Sequence, residues 1–335
     1  MKEQIIGTYG GKISGPLVIV LGGLHGNEPA GVKAIVEIFR LLHQEPSVNP
    51  GFVFKGTLVG LVGHLHAYRE GRRYIVSDLN RHWTTANLER IRSTPVLQLK
   101  AEDLEMAQLL YSIQMTIRQH RPDSLILLDL HTTSAEGGIF CIPMNECESL
   151  DLAKELYAPV VLGLHEGIEG TLLQAAANHV FHIGDWPRQI VGVAFEAGQH
   201  TDPLSASRAV AAIVHALRAA GCIRPDDVES RHEEVLRSHT RHLPQVTRLR
   251  HVHHIQPGDN FVMRPGYANF QSIRRGEHLA DDVHGPVLSP QDGLILMPLY
   301  QKQGADGFFI CEQVGEPLEN TPKSMSMTPS IGLKR

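Results

Sequence analysis

The stretch GPLVIVLGGLHGNEPAGVKAIVEIFRLL, residues 15–42, changes its hydrophobic period in the middle. Residues 16–21 are apolar without polar alternation, the pattern of a strand covered on both faces. From 26 to 42 the apolar residues Val32, Ile35, Val36, Ile38 and Phe39 recur at helical spacing. Between the two runs, Gly22, Gly23 and Gly26 surround His25 and Glu28, two side chains able to hold a metal. A strand that passes directly into a helix is the building unit of α/β folds. The turn between them lies outside the carboxyl end of the strand, where open α/β sheets bind ligands.

The same alternation continues outward. Strands are expected at 3–9, 16–21, 52–62, 124–130, 159–164 and 189–195. Helices are expected at 26–42, 101–119, 150–157, 170–178 and 202–220. SLILLDL, residues 124–130, is the most continuous apolar run and reads as a central strand. The pattern predicts an α/β sheet with helices on both faces. After about Gly221 the texture changes. Residues 224–242, RPDDVESRHEEVLRSHTRH, are polar and read as a connector. Beyond them, short β-like pieces are punctuated by Pro-Gly, Asp-Gly and Gly-Glu turns, as in QPGDNF, RPGYANF, RRGEHL and SPQDGL. We therefore expect two domains, a catalytic one over 1–228 and a smaller all-β one over 229–335, whose last polar stretch, 319–335, frays.

Composition narrows the classes of function. The 335 residues carry a formal net charge of -5, with 42% hydrophobic and 20% charged residues. No basic field invites nucleic acid. No apolar run reaches the ~18 residues of a membrane-spanning helix, and the N-terminus lacks the pattern of a signal peptide. The four cysteines form no C-x-x-C pair, so neither a thiolate zinc site nor a redox motif is expected. A cytoplasmic protein with reduced thiols is the default expectation, and a homo-oligomer is compatible with this reading.

The candidate chemistry gathers at strand ends. His25 and Glu28 follow the strand at 16–21, Asp129 and His131 close the strand at 124–130, and Glu196 follows the strand at 189–195. Two histidines and a glutamate form a zinc ligand set that leaves a position open for water, whose pKa the ion lowers to roughly 7. A carboxylate outside the ligand set, such as Glu196, can accept the water's proton and pass it to a leaving amine. Asp129, two residues before His131, faces the same side of the strand and can orient it. A second cluster, REGRRYIVSDLNRHW, carries Arg69, Arg72, Arg73, Asn80 and Arg81. Arginine forks match carboxylates, and an arginine can face an oxyanion. Each feature alone has an ordinary structural reading: a tight glycine turn, an acid preceding a helix, or a surface loop with ion pairs. Only their joint placement points to a metal hydrolase.

Taken in order, GGLHGNEPAG, RYIVSDLNR, DLHTTS and VAFEAG resemble the aspartoacylase and succinylglutamate desuccinylase family, relatives of the zinc carboxypeptidases. The likeness runs from about Gly22 to Gly198. It implies a carboxypeptidase-like mixed sheet with helices on both faces and a β-rich C-terminal domain. It further implies one zinc ion per chain, bound by His25, Glu28 and His131. Glu196 then resembles the general base and acid, and Arg73 the arginine that stabilises the oxyanion. Asn80 and Arg81 resemble the pair that holds the amino acid's carboxylate. The implied reaction is hydrolysis of an N-acyl amino acid or a similar small amide. Aspartoacylases proper place a tyrosine and an arginine shortly before the glutamate strand. Here residues 169–190, EGTLLQAAANHVFHIGDWPRQI, have no tyrosine and only Arg188. His179, His182 and Arg188 are the candidates to replace that grip. The competing readings are a metallocarboxypeptidase acting on short peptides and a non-catalytic module that binds a small carboxylate.

Overall fold

The computed structural model describes residues 3–228 and 231–315. Its first half alternates strands and helices: β1 (Ile5–Gly10), β2 (Leu17–Gly22), α1 (Pro29–Val48), β3 (Thr57–Val62), α2 (Leu65–Glu70), α3 (Thr85–Ser93), α4 (Glu102–His120) and β4 (Ser124–Thr133). Two of these helices, α2 and α3, are not predicted by the sequence pattern. There follow β5 (Phe140–Pro143), α5 (Glu148–Glu155), β6 (Val160–Leu162), α6 (Leu164–Gly167), α7 (Leu172–Ala177), β7 (Gln189–Gln199) and α8 (Ser205–Ala219). The remainder is α9 (Arg231–Thr240), β8 (Val246–His254), β9 (Val262–Met263), β10 (Gln271–Ile273), β11 (His278–Asp282), β12 (Gly285–Leu288), β13 (Gly293–Leu296) and β14 (Asp306–Gln313).

One mixed sheet of eleven strands organises the molecule, in the order β1-β3-β2-β4-β7-β5-β6-β8-β14-β13-β10. Its centre is parallel, with β2 paired to β3 and β4, and β4 to β7. Successive side chains of these strands enter different cores, as a period of two requires. Val18, Val20, Ile126 and Leu128 pack with α1 and α8. Leu17, Ile19, Leu125 and Leu127 pack with α4 on the opposite face. Burying each such side chain is worth roughly 1.5–3 kcal/mol, so the two-sided covering makes the central strands the most strongly anchored part of the fold.

Other features also depart from the sequence reading. The 52–62 strand begins only at Thr57, because Gly56 turns the chain at φ +78°. The polar connector contains α9, whose few apolar residues are spent well: Leu236 is fully buried against the main core. The strand β5 is a four-residue piece antiparallel to β7, too short for periodicity to reveal. Beyond α9, most strands do not form a detached sheet. The strand β8 pairs with β6 and carries the large sheet onward through β14, β13 and β10, while β12-β11-β9 form a separate small sheet. A smaller β-rich C-terminal region is thus joined to the α/β core, and the stretch expected to fray lies outside the described residues. Among the described residues no helix is long and apolar enough to cross a membrane.

Register places the site. Gly22, the last residue of β2, pairs with Leu130 of β4, and His131 pairs with Glu196 of β7. The carboxyl ends of three neighbouring strands therefore deliver their next residues to one edge. The helix α1 can start there only because two glycines meet. A Cβ on Gly22 would lie 2.6 Å from the Gly31 carbonyl carbon, and one on Gly31 would lie 2.8 Å from Leu130 Cβ.

A candidate metal centre at the sheet edge

Glu28 occupies the N-cap position of α1 but makes no capping bond with its side chain. The carboxylate points instead across the strand ends. Its Oε1 lies 2.8 Å from His25 Nδ1, and its Oε2 lies 3.1 Å from His131 Nδ1 and accepts the Thr132 amide at 2.9 Å. One donor atom from each of His25, Glu28 and His131 falls within 4.8 Å of the others, and all three residues are buried. Among the described residues this is the one such cluster. Burial by itself raises the Glu28 pKa, but the two imidazoles outweigh it and hold the carboxyl well below its usual range.

The donor set suits a zinc-like ion. Two imidazoles and a carboxylate are typical zinc ligands, and the Nδ1 atoms of both histidines lie within 3.1 Å of the Glu28 carboxylate. Both histidines turn Nδ1 toward Glu28 and back their Nε2 with an aspartate. His25 Nε2 lies 3.1 Å from Asp78 Oδ1. His131 Nε2 lies 2.9 Å from Asp129 Oδ2, close but poorly aligned for a hydrogen bond. Carboxylates behind ligand imidazoles fix their tautomer and raise their basicity. Asp129 thus stands where the sequence placed it. Asp78 was missed: it sits in the same SDLNR run as Asn80 and Arg81, but a second acid in a polar loop carries no signal of its own.

Arg73 joins this group through its backbone and its fork. Its carbonyl accepts the Gly26 amide at 3.1 Å, inside the His25–Glu28 turn. Its Nε and Nη2 donate to Asp78 Oδ2 at 3.2 and 2.9 Å, and Nη1 lies 3.4 Å from Glu28 Oε1. Asn80 uses its side-chain oxygen to accept the Leu172 amide at 3.0 Å. Arg81 donates from Nη1 to the Asn80 carbonyl at 2.9 Å and from Nη2 to Asp306 Oδ2 at 2.6 Å. Asp306 comes from the C-terminal region, so β14 reaches the site.

Glu196 is 7% exposed, and its Oε2 has no hydrogen-bond partner. Burial pushes its carboxyl up to about 8; His131 and Arg73 pull it down, while Glu28 and Asp129 push it further up. A carboxyl poised near neutrality and free to bond is suited to proton transfer.

These groups share one cavity. The cluster, Arg73, Asn80, Arg81 and Glu196 line its polar side, with Thr132, Thr133 and Ser134 of the TTS run. The lining also includes the apolar residues Ile142, Met144, Leu164, Ile168, Leu173 and Phe309. Gln301 adds a polar group from the C-terminal region; it lies 3.3 Å from His200 Nε2 and accepts from Asn27 at 2.8 Å. His179, His182 and Arg188 do not line the cavity, and Arg188 is an exposed partner of Asp123 at 3.4 Å.

Residues 14–184 match the family described as the succinylglutamate desuccinylase/aspartoacylase catalytic domain. That match spans half of the chain, and the chain belongs to this family. It is similar to a probable aspartoacylase from Nostoc sp., 29% identical over 38% of this chain and 39% of that protein. It is also similar to N-acyl-aromatic-L-amino acid amidohydrolase (carboxylate-forming) A from Danio rerio, 30% identical over 52% of this chain and 54% of that protein. The matches thus cover about two fifths to a half of these relatives' length. In fold, the chain is similar to the succinylglutamate desuccinylase/aspartoacylase from Rhodobacter sphaeroides, with a TM-score of 0.60, 17% identity, and coverage of 90% of this chain and 87% of that one.

Proposed function

We propose that this protein is a metal-dependent deacylase that hydrolyses the amide bond of an N-acyl amino acid, with zinc held by His25, Glu28 and His131. The observation that carries the reading is the convergence, in one cavity, of that cluster with Glu196, whose Oε2 has no hydrogen-bond partner, and two arginines. When bound, the ion supplies a Lewis acid and lowers the pKa of water. Glu196 takes a proton from the attacking water and returns it to the leaving nitrogen, so the acyl group departs as a carboxylic acid and the amine as an amino acid. Arg73, held by Asp78, faces the developing oxyanion. Asn80 and Arg81 hold the amino acid's carboxylate.

The cavity wall bears on the substrate. Among the described residues that line it, Arg73 and Arg81 are the only arginines and no lysine is present, and much of the lining is apolar. A second substrate carboxylate would find no further arginine or lysine there, only neutral or titratable groups such as His165 and Gln174. We therefore favour acyl amino acids with one carboxylate and an apolar side chain or acyl group. The name of the Danio rerio relative, an amidohydrolase for N-acyl-aromatic amino acids, supports this choice. The four cysteines are free thiols, which supports a reducing cytoplasmic setting.

The test compares zinc-loaded wild type with Glu196→Gln on N-acetylphenylalanine, N-acetylaspartate and dipeptides. We expect hydrolysis of N-acetylphenylalanine, and a loss of about 10²–10⁴-fold in the variant. Near-normal turnover by Glu196→Gln overturns the assigned role. Preferred cleavage of dipeptides makes the protein a carboxypeptidase, and binding without cleavage of any amide makes it a binding module.

A further inference from the structure

Two buried acids that the proposed chemistry does not use stand at the start of α4. Glu102 is 2% and Glu105 8% exposed. Both are satisfied by the segment that joins β3 to Asn80. Glu102 Oε1 accepts the amides of Ile75 at 2.7 Å and Val76 at 3.0 Å. Glu105 accepts the amides of Leu65 at 2.9 Å and His66 at 3.0 Å. His64, fully buried, links them: its Nδ1 accepts the Ala67 amide at 3.3 Å, and its Nε2 donates to Glu102 Oε1 at 3.2 Å. Amide bonds to a carboxylate are roughly twice as strong as neutral ones, and losing the acceptor oxygen altogether would leave buried donors unsatisfied.

The segment so held carries Arg73 and Asp78. Arg73 is gripped from both directions: its carbonyl accepts the Gly26 amide at 3.1 Å, and the amides two and three residues later bind Glu102. The approach on the Gly26 side leaves no slack, since a Cβ there would lie 2.0 Å from the Ala67 carbonyl carbon. The loop is therefore tied to the His25–Glu28 turn on one side and to the head of α4 on the other.

We propose that Glu102 is a positioning residue for Arg73. It acts through the Ile75 and Val76 amides and does not touch substrate. The inference rests on the deacylase reading for its kinetic consequence, and on geometry alone for its structural one.

The experiment compares Glu102→Ala, Glu102→Gln, Arg73→Ala and the Glu102→Ala/Arg73→Ala pair as zinc-loaded full-length protein, using N-acetylphenylalanine. Glutamine keeps an acceptor oxygen for both amides. We expect Glu102→Ala to lose about 30-fold in kcat with KM changed less than threefold. Glu102→Gln should recover to within about threefold of wild type. In the double variant, Glu102→Ala should cost almost nothing beyond Arg73→Ala, because residues acting as one unit are not additive. Full additivity, or an equal loss in Glu102→Gln, overturns the proposal and leaves a general structural role. A second readout needs no activity: the Arg73 Nε–H resonance in the 15N spectrum, assigned by its loss in Arg73→Lys. It should shift or broaden in Glu102→Ala and persist in Glu102→Gln. An unchanged resonance in Glu102→Ala also overturns the proposal. An inactive wild type with the expected spectral changes overturns only the deacylase reading.

Discussion

His131 and Glu196 are register partners on adjacent parallel strands, the last metal-competent imidazole of β4 beside the unpartnered carboxyl of β7. Neither residue can leave its position without slipping a strand whose neighbours on both faces are buried, so the spacing between the two side chains is a property of the sheet.

Metal content is the first consequence. Purified wild type, incubated with zinc and dialysed, should retain about one ion per chain. His131→Ala should retain much less, because three protein ligands are the usual complement of such a site. Elemental analysis of both proteins checks this, and equal retention would show that the ion sits elsewhere.

The pH dependence of stability follows from Glu196. Its folded pKa, near 8, lies above the ordinary carboxylate value. In the metal-free protein its contribution is therefore fully present below about pH 4.5 and is lost as pH rises through about 8. Metal-free wild type should lose stability relative to metal-free Glu196→Gln across that window, as read by urea midpoints. A constant difference from pH 5 to 9 would contradict the buried, unpaired environment.

Glu102 has the opposite sign. Its backbone and His64 bonds overcome burial and lower its pKa to about 2. The stability it confers is present above about pH 4.5 and is lost as pH falls toward 2. Acid unfolding should be steeper in wild type than in Glu102→Gln, measured by circular dichroism between pH 5 and 2.

Gly26→Ala should be among the most damaging small substitutions. The added Cβ would lie 2.0 and 2.2 Å from the Ala67 carbonyl carbon and oxygen, and backbone cannot yield as a flexible side chain can. A loss of about 3 kcal/mol or more is expected. Gly71→Ala is the control: its φ is +63° with open space around it, so only the backbone cost of about 1 kcal/mol applies. Similar urea midpoints for the two variants would refute the close approach.

Arg81→Ala should raise KM for acyl amino acids by about 10-fold or more with a smaller effect on kcat, the signature of lost uniform binding. The same variant should show little change toward substrates whose carboxylate is amidated. An equal penalty on both would remove Arg81 from carboxylate binding and leave its pair with Asp306 as a structural tie.

Much was legible in residue order because it depends on local pattern. The two-faced burial of β2 and β4 shows as unbroken apolar runs, and the helices show their 3.6-residue period. The four motifs carried the family and, with it, the placement of His25, Glu28, His131, Arg73, Asn80, Arg81 and Glu196 around one cavity. Arg188 shows the limit: its charge suited a second carboxylate, yet it lies on the surface beside Asp123. Residue type says nothing about which way a loop side chain turns.

Sequence by itself determined the strand-turn-helix unit at 15–42, the neighbouring strands and the chemistry available at their ends, because these follow from short-range periodicity and side-chain type. Tertiary structure alone decided that Asp78 backs His25, that Glu102 binds the loop after Arg73 and Glu105 the start of α2, and that β14 brings Asp306 to Arg81. Those contacts join residues far apart in the chain, and their geometry is set by strand register and helix docking, which no local pattern encodes.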